Sequence, residues 1–163
     1  RRATVDSHKA LPVVDTTLDI LESVDFRPFI DLADIPWAMT AHIVYSDIDP
    51  YAPATMSPRL IEDVIRRQIG FNGILISDDL SMHALEGDFT NRAESALEAG
   101  CDLVLHCNGE RNEMLAVAEG LRPINDQTDD RLEEGWKMCR ENLEEIDFDQ
   151  AEHRFNTLME LVL

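Results

Sequence analysis

The chain has 163 residues, of which 44% are hydrophobic, so it is long enough for one ordinary domain with an apolar core and is unlike a disordered segment. It carries 14 basic and 33 acidic residues, and the net charge of -19 disfavours binding to nucleic acid or to an anionic membrane, since both need basic patches. No apolar run approaches the roughly 20 residues of a membrane span.

The N-terminal stretch RRATVDSHKALP lacks the apolar core of a signal peptide. The three cysteines, Cys101, Cys107 and Cys139, are odd in number and have no metal-ligand spacing. We therefore expect reduced, mostly buried thiols in a cytoplasmic protein.

In chain order, the first predicted element is a helical segment over residues 16–33, which Pro28 breaks or kinks. Its expected buried positions are Leu18, Leu21, Phe29 and Ile30. Three continuous apolar runs follow, WAMTAHIVY (37–45), GILIS (73–77) and DLVLHC (102–107). Continuous rather than alternating apolar residues are typical of parallel strands covered by helices on both faces.

A helical pattern follows each of these three strands. Ser57 caps the first helix and Pro58 takes its first position, before Gly70 ends it. Thr90 is the predicted cap of the second helix, which ends at Gly100. The apolar positions of the three helices are Leu60, Ile61, Val64, Ile65 and Ile69; Ala93, Ala96, Leu97 and Ala99; and Leu115, Ala118 and Leu121.

Two amphipathic helices are predicted to close the chain. Trp136, Cys139 and Leu143 mark the first, and Phe155, Leu158, Met159 and Val162 mark the second. The strands repeat at roughly 30 to 35 residues, the size of a strand-helix unit, which predicts an α/β fold with a parallel sheet. Three strands cannot close a barrel, so the fold is either a compact sandwich or the C-terminal part of something larger.

Polar residues stand where each predicted strand ends. Asp78 and Asp79 end the second strand, His42 lies near the end of the first, and His106 and Asn108 end the third. Functional groups of α/β folds collect at the C-terminal ends of parallel strands. A carboxylate there can serve as nucleophile, general base or metal ligand, or it can simply cap a helix or hydrogen-bond a neighbour.

A second group is Asp6-Ser7-His8, ahead of the first strand. Asp and His two residues apart on a loop can hydrogen-bond directly, which orients the imidazole and stabilises its protonated form. Such pairs are also common in ordinary turns. Since the chain has no HExxH or Cys/His metal spacing, we predict neither a bound metal nor a cofactor.

Taken together, the blocks VDSHKALP, DFRPFIDL, AMTAHIVY, PATMSPRLI, GFNGILISDDLSM and AGCDLVLHCN resemble the bacterial β-N-acetylhexosaminidases of glycoside hydrolase family 3, of the NagZ type used in peptidoglycan recycling. The resemblance runs in order from residue 3 to about residue 108, and more loosely beyond. It implies a (β/α)8 barrel, of which residues 1–163 are one incomplete catalytic domain with strands six to eight and flanking helices.

The resemblance also implies roles. Asp78 matches the nucleophile, His8 the general acid/base and Asp6 its partner, while Asp79 is expected to orient its neighbours. His42 and Asn108 are predicted substrate-binding residues. The implied activity is that of a retaining exo-β-N-acetylglucosaminidase acting on muropeptides in the cytoplasm.

Two other readings remain open, a non-catalytic α/β module and an N-acetylglucosaminide phosphorylase. The lysine-histidine, glycine-rich block that this family carries before VDSH is absent, as are the first strands. We therefore expect the chain to associate with itself or with the N-terminal half of a barrel.

Overall fold

In the computed structural model of this chain, the structure describes residues 2–3, 5–141 and 147–160. Within these residues, five strands lie among helical segments, with the second and third strands adjacent in the chain. The strands are β1 (Val13–Val14), β2 (Trp37–Met39), β3 (Val44–Tyr45), β4 (Ile74–Asp79) and β5 (Leu103–Leu105). The α-helices are α1 (Leu18–Ile20), α2 (Arg27–Ile30), α3 (Phe89–Ala99), α4 (Arg111–Glu119), α5 (Asp126–Glu141) and α6 (Phe148–Glu160). Leu21–Asp25 and Leu60–Gln68 are π-helices, and Ala54–Met56 is a 3-10 turn.

The strands form two parallel sheets. One has the order β2-β4-β5, and the other pairs β1 with β3. Parallel strands joined through helices confirm the α/β class that the sequence predicts.

The predicted strand 37–45 is wrong as a single element. Thr40 still donates its amide to Ile76 O in the three-stranded sheet, whereas Val44 donates to Pro12 O in the two-stranded one. Between them Ile43 donates to Ala41 O, a tight turn that splits the apolar run. The β1–β3 pair therefore stands on the C-terminal side of β2.

Ser57 caps the helix that contains Leu60–Gln68, as predicted, because its hydroxyl oxygen accepts the amide of Leu60 at 3.1 Å. The helix then widens into π turns, with Ile69 donating to Val64 O. Leu60, Ile61 and Val64 are buried as expected. Its apolar face is therefore the one that the sequence predicts.

The predicted cap of α3 is wrong by two residues. Asp88 is the cap, and its carboxylate accepts the amide of Asn91 at 2.8 Å. Thr90 lies inside the helix and donates its hydroxyl to Ala116 O on α4. Gly100, with φ at 114°, ends the helix as predicted.

Burial differs from expectation at several apolar positions. The segment 16–33 is three short helical turns, and Pro28 opens α2 instead of breaking a longer helix. Phe26 is buried there, while Phe29 and Ile30 are exposed. Side chains predicted on helix faces that prove exposed are Leu115, Ala118, Leu121, Trp136, Phe155, Leu158 and Met159. Leu143 and Val162 lie outside the described residues.

The three cysteines are free, but only Cys101 is buried. Cys107 and Cys139 are exposed, so the expectation of mostly buried thiols is wrong for these two. Burial raises the pKa of the Cys101 thiol to about 12. Across the described residues, no helix combines the length and apolarity that crossing a membrane requires.

Two hydrophobic clusters form the core. The first lies between the three-stranded sheet and its helices and contains Ile61, Phe71, Leu75, Leu80, Leu85, Ala93, Ala96, Ala99, Cys101 and Val117. The second lies against the β1–β3 pair and contains Val14, Leu21, Phe26, Ile48, Ala54, Leu60 and Val64. Ile65 and Ile69 pack against both clusters.

Asp102 anchors the N-terminal end of the three-stranded sheet, just before β5. Its carboxylate accepts hydrogen bonds from Arg66 and Arg131, both at 2.7 Å, from the Leu75 amide at 2.9 Å and from the Thr128 hydroxyl at 3.2 Å. The residue is only 8% exposed. Since each oxygen is paired with an arginine and with a neutral donor, the buried charge is fully compensated.

Candidate active site

The strand β4 carries a bulge at Ser77 and Asp78, between Ile76 and Asp79. Ile76 pairs with Leu103 and Asp79 with Leu105, so β4 has one residue more than β5 between these pairs. The buried Ser77 hydroxyl fills the gap by accepting the Leu105 amide at 3.0 Å. A bulge re-aims the side chains that follow it, and bulges are common beside active sites.

Asp78 has one carboxylate oxygen held and the other unoccupied. Its Oδ1 accepts the amide of Asp79 at 2.8 Å. Among the described residues, Oδ2 accepts no hydrogen bond. The side chain is half-buried, so a fixed carboxylate presents a bare oxygen at the C-terminal edge of the sheet.

Asp79 is used differently from Asp78. Its Oδ1 accepts the amides of Ser81 and Cys107, at 3.0 and 3.1 Å, and its Oδ2 accepts the Ser81 hydroxyl at 2.6 Å. Burial raises the pKa of this carboxyl, but the bonds from Ser81 and Cys107 and the nearby His106 outweigh it, so the pKa lies below its ordinary value. Asp79 therefore ties the turn after β4 to the end of β5.

His42 lies beneath the strand end instead of facing solvent. The residue is fully buried. Its Nε2 is 2.9 Å from the carbonyl oxygen of Asp79, and its Nδ1 is 2.8 Å from Thr55 Oγ1. With both ring nitrogens paired, His42 contacts the backbone of the Asp78-Asp79 segment and has no free atom for a ligand.

His106 and Asn108, after β5, converge on a carboxylate that the sequence did not single out. His106 Nε2 is 2.9 Å from Glu113 Oε2, and the Asn108 amide donates to the same oxygen. Hydrogen bonds from Asn108 and His106 lower the pKa of the Glu113 carboxyl. His106 Nδ1 is buried and has no partner within the described part of the chain.

The Asp6–His8 pair forms as the two-residue spacing predicts. His8 Nδ1 is 2.8 Å from Asp6 Oδ1, and the His8 amide donates to the same oxygen. The bond from His8 lowers the pKa of the Asp6 carboxyl. The His8 side chain is 74% exposed, so its Nε2 faces solvent while Asp6 holds Nδ1.

The structure brings Asp78, Asp79, His42, His106 and Asn108 to one edge of the sheet, as expected for the ends of parallel strands. Asp6 and His8 lie apart, on the loop before β1, and within the described residues no hydrogen bond or ion pair joins them to Asp78.

Sequence reasoning did not single out four further residues, Thr40, Thr55, Ser77 and Glu113. Thr40 interrupts the run 37–45 and Ser77 ends the run 73–77, which is a local signal for both residues. The other two have no such signal. Within the described ranges, no group of three or more His, Cys, Asp or Glu side chains is placed to hold a metal ion.

The sequence of this chain is similar to that of a known protein family. The profile described as "Glycosyl hydrolase family 3 N terminal domain" matches residues 2–134. The chain is 44% identical over 117 residues to a "Beta-hexosaminidase" of Methylobacillus flagellatus, covering 68% of this chain and 33% of the relative. A "Beta-hexosaminidase" of Shewanella frigidimarina is 43% identical over 108 residues, covering 63% and 31%.

Solved structures are also similar to this chain in fold. A glycoside hydrolase family 3 β-N-acetylglucosaminidase from a Paenibacillus strain superposes with a TM-score of 0.72 at 25% identity, covering 90% of this chain and 31% of that one. NagZ from Neisseria gonorrhoeae in complex with N-trifluoroacetyl-D-glucosamine gives 0.69 at 35% identity, covering 80% and 38%. This chain thus spans about a third of the proteins that it matches.

Proposed function

Because the chain belongs to glycosyl hydrolase family 3, we propose that it carries the catalytic residues of a retaining exo-β-N-acetylglucosaminidase. The substrate class is muropeptides derived from peptidoglycan, and the compartment is the cytoplasm. Relatives named "Beta-hexosaminidase" and a NagZ structure bound to an N-acylated glucosamine support the sugar specificity. The observation that carries the proposal is the Asp78 carboxylate, with Oδ1 held by the Asp79 amide at 2.8 Å and Oδ2 open.

The first displacement uses Asp78 and His8. Asp78 Oδ2 attacks the anomeric carbon and forms a glycosyl-enzyme ester, while the bond between that carbon and the leaving oxygen breaks. Protonated His8 gives its Nε2 proton to the leaving oxygen. Asp6, bonded to Nδ1, keeps the ring oriented during the transfer.

The second displacement reverses these roles. Neutral His8 takes a proton from water, whose oxygen attacks the anomeric carbon and releases Asp78 as a carboxylate. Two inversions retain the configuration of the sugar. An imidazole thus replaces the second carboxylate of the usual glycosidase pair. Because the His8 side chain is 74% exposed, its Nε2 is open to a substrate from the solvent side.

The decisive experiment compares Asp78→Asn with the adjacent Asp79→Asn on an aryl β-N-acetylglucosaminide, with and without added phosphate. We expect turnover by the chain, near-complete loss in Asp78→Asn, and a mechanism-based fluorosugar label on Asp78 in the peptide 74–82. A label found only on Asp79 would contradict the assignment. If the sugar is released as a sugar phosphate only when phosphate is present, the reaction is phosphorolysis and not hydrolysis. If no turnover is observed, the result would favour a non-catalytic module.

We also propose that the chain associates, with itself or with the N-terminal half of a barrel, through the free edge of β2. In the described part of the chain, β2 pairs only with β4, so its other edge carries unpaired backbone groups. An apolar groove of about 360 Å³ lies beside it, lined among others by Phe29, Leu32, Ile35 and Met39. Light scattering tests this, and a monodisperse monomer at micromolar concentration would contradict it.

A further inference from the structure

A closed circuit of hydrogen bonds begins and ends on the backbone of the two aspartates. The Asp78 amide is 3.3 Å from Thr40 Oγ1, which is 2.8 Å from Thr55 Oγ1. Thr55 Oγ1 is 2.8 Å from His42 Nδ1, and His42 Nε2 is 2.9 Å from the Asp79 carbonyl oxygen. Thr40, His42 and Thr55 are all buried.

Which group donates each hydrogen bond follows from whether each atom can donate or only accept. A carbonyl oxygen only accepts, so His42 Nε2 carries a hydrogen and Nδ1 of the neutral ring is an acceptor. The Thr55 hydroxyl therefore donates to Nδ1. Since its single hydrogen is then used, the Thr40 hydroxyl donates to Thr55 Oγ1. This leaves the Thr40 oxygen to accept the Asp78 amide, and every donor has its acceptor.

The circuit lies where β4 departs from its regular pairing with β5. The Asp78 amide belongs to the irregular segment between Ile76 and Asp79, and the Thr40 hydroxyl oxygen accepts it from the β2 side. Buried hydroxyl and imidazole groups are costly unless they are paired. Filling this space with apolar side chains would leave the Asp78 amide unpaired.

We propose that His42, Thr55 and Thr40 are positioning residues for the nucleophile. They fix the two peptide groups on either side of the Asp79 amide, and that amide holds Asp78 Oδ1. The free Oδ2 is thereby aimed by a buried network that never touches the substrate. This inference rests on the proposed function only in taking Asp78 as the nucleophile.

The test removes one hydroxyl and keeps the shape. Thr55→Val breaks the circuit, and Thr55→Ser restores the hydroxyl. Thr128→Val is the matched control, because it removes a buried hydroxyl that donates to Asp102 at the other end of the same sheet. Measurements on the intact chain are the kcat and KM for an aryl β-N-acetylglucosaminide, the hydrogen exchange of the Asp78 amide, and the tautomer of His42 by nitrogen NMR.

In Thr55→Val we expect kcat to fall at least about tenfold with KM within about twofold, since misplacement of a reacting group acts mainly on the chemical step. Asp78 amide exchange should quicken by about tenfold or more relative to Leu103. Thr55→Ser and Thr128→Val should match the wild-type chain in both respects. Wild-type His42 should carry its hydrogen on Nε2.

The exchange and tautomer measurements need no turnover. An inactive wild-type chain would therefore refute the proposed function and still leave the circuit tested. Equal Asp78 exchange in Thr55→Val and Thr128→Val, or a hydrogen on His42 Nδ1 in place of Nε2, would overturn the positioning role. So would an active chain whose kcat is unchanged in Thr55→Val.

Discussion

The two ends of the three-stranded sheet use the same side chain in opposite ways. At the N-terminal end, the Asp102 carboxylate accepts four hydrogen bonds, two of them from arginines, and is almost sealed from solvent. At the C-terminal end, the Asp78 carboxylate accepts one, from the Asp79 amide, and stays half-exposed. A carboxylate with every oxygen paired stabilises the fold, whereas one with an oxygen left open is available for chemistry.

The difference lies in the donors around each carboxylate and not in the aspartates themselves. The four donors to Asp102 come from segments on both sides of it in the chain, including α5 and the π-helix Leu60–Gln68. Around Asp78 the polar side chains bind the peptide groups beneath it, where His42 donates to the Asp79 carbonyl oxygen and the Thr40 oxygen accepts the Asp78 amide. Barrel enzymes show the same division, with stability at the N-terminal face of the sheet and catalysis at the C-terminal face.

Replacing aspartate by asparagine at each end of the sheet should give the largest difference in the free energy of unfolding. Asp102→Asn leaves Arg66 and Arg131 without their counter-charge in a buried place, so we expect a loss of about 3–5 kcal/mol. Asp78→Asn should change the free energy of unfolding by less than about 0.5 kcal/mol, since Oδ1 still accepts the Asp79 amide. Urea unfolding measures both. Similar losses in the two variants would break the comparison.

Replacing a glycine beside each end of the sheet should give the next-largest difference in stability. A Cβ on Gly73, just before β4, would lie 2.5 Å from Pro36 O and 2.8 Å from Ile35 O, both backbone atoms. We expect Gly73→Ala to cost about 2–3 kcal/mol. Gly109, after β5, has open space around it but a φ of 78°. Gly109→Ala should cost about 1 kcal/mol. Thermal unfolding would contradict this if Gly109→Ala proved the costlier change.

A pH series tests how much the Asp79 carboxylate stabilises the fold. The pKa of the Asp79 carboxyl is lowered in the folded chain, so its stabilisation is present above the ordinary carboxyl pKa of about 4 and is lost as the pH falls through the lowered value. We expect Asp79→Asn to cost about 1 kcal/mol at pH 7. The gap in Tm between this variant and the wild-type chain should narrow below about pH 4. A gap that widens in acid would contradict the sign.

The smallest effect should come from the outer of two adjacent arginines. Arg67 pairs with Asp63 and Glu62 on the surface, and its side chain is 67% exposed. Arg67→Ala should cost less than about 0.5 kcal/mol and even less in high salt. Its neighbour Arg66 belongs to the Asp102 cluster, and Arg66→Ala should cost about 3 kcal/mol. Comparable losses for the two would mean that the cluster is not a buried charge network.

Local patterns predicted part of this molecule well. The continuous apolar runs of β4 and β5 located the strand ends, and with them Asp78 and Asp79. The two-residue spacing of Asp6 and His8 predicted their direct hydrogen bond. Both signals are short-range, because each is written into a few consecutive residues.

What could not be predicted depends on partners far apart in the chain. β1 and β3 have two residues each, too few to carry a period. His42 stands at the end of an apolar run, so it resembled a residue facing a substrate. In the structure it is buried and contacts the carbonyl oxygen of Asp79, 37 residues away. Asp102 likewise shows nothing in its local sequence of the two arginines that it binds.

Two residues of the π-helix Leu60–Gln68 region, Ile65 and Ile69, belong to both hydrophobic clusters. One helix thus forms part of two cores, so neither can come apart without disturbing the other. The cluster against the β1–β3 pair includes Val14 of β1, which follows the loop that carries His8, and the cluster under the three-stranded sheet includes Leu75 and Leu80, on either side of Asp78. We therefore expect the two halves of the proposed active site to fold and melt as a single cooperative unit, although no hydrogen bond within the described residues joins them directly.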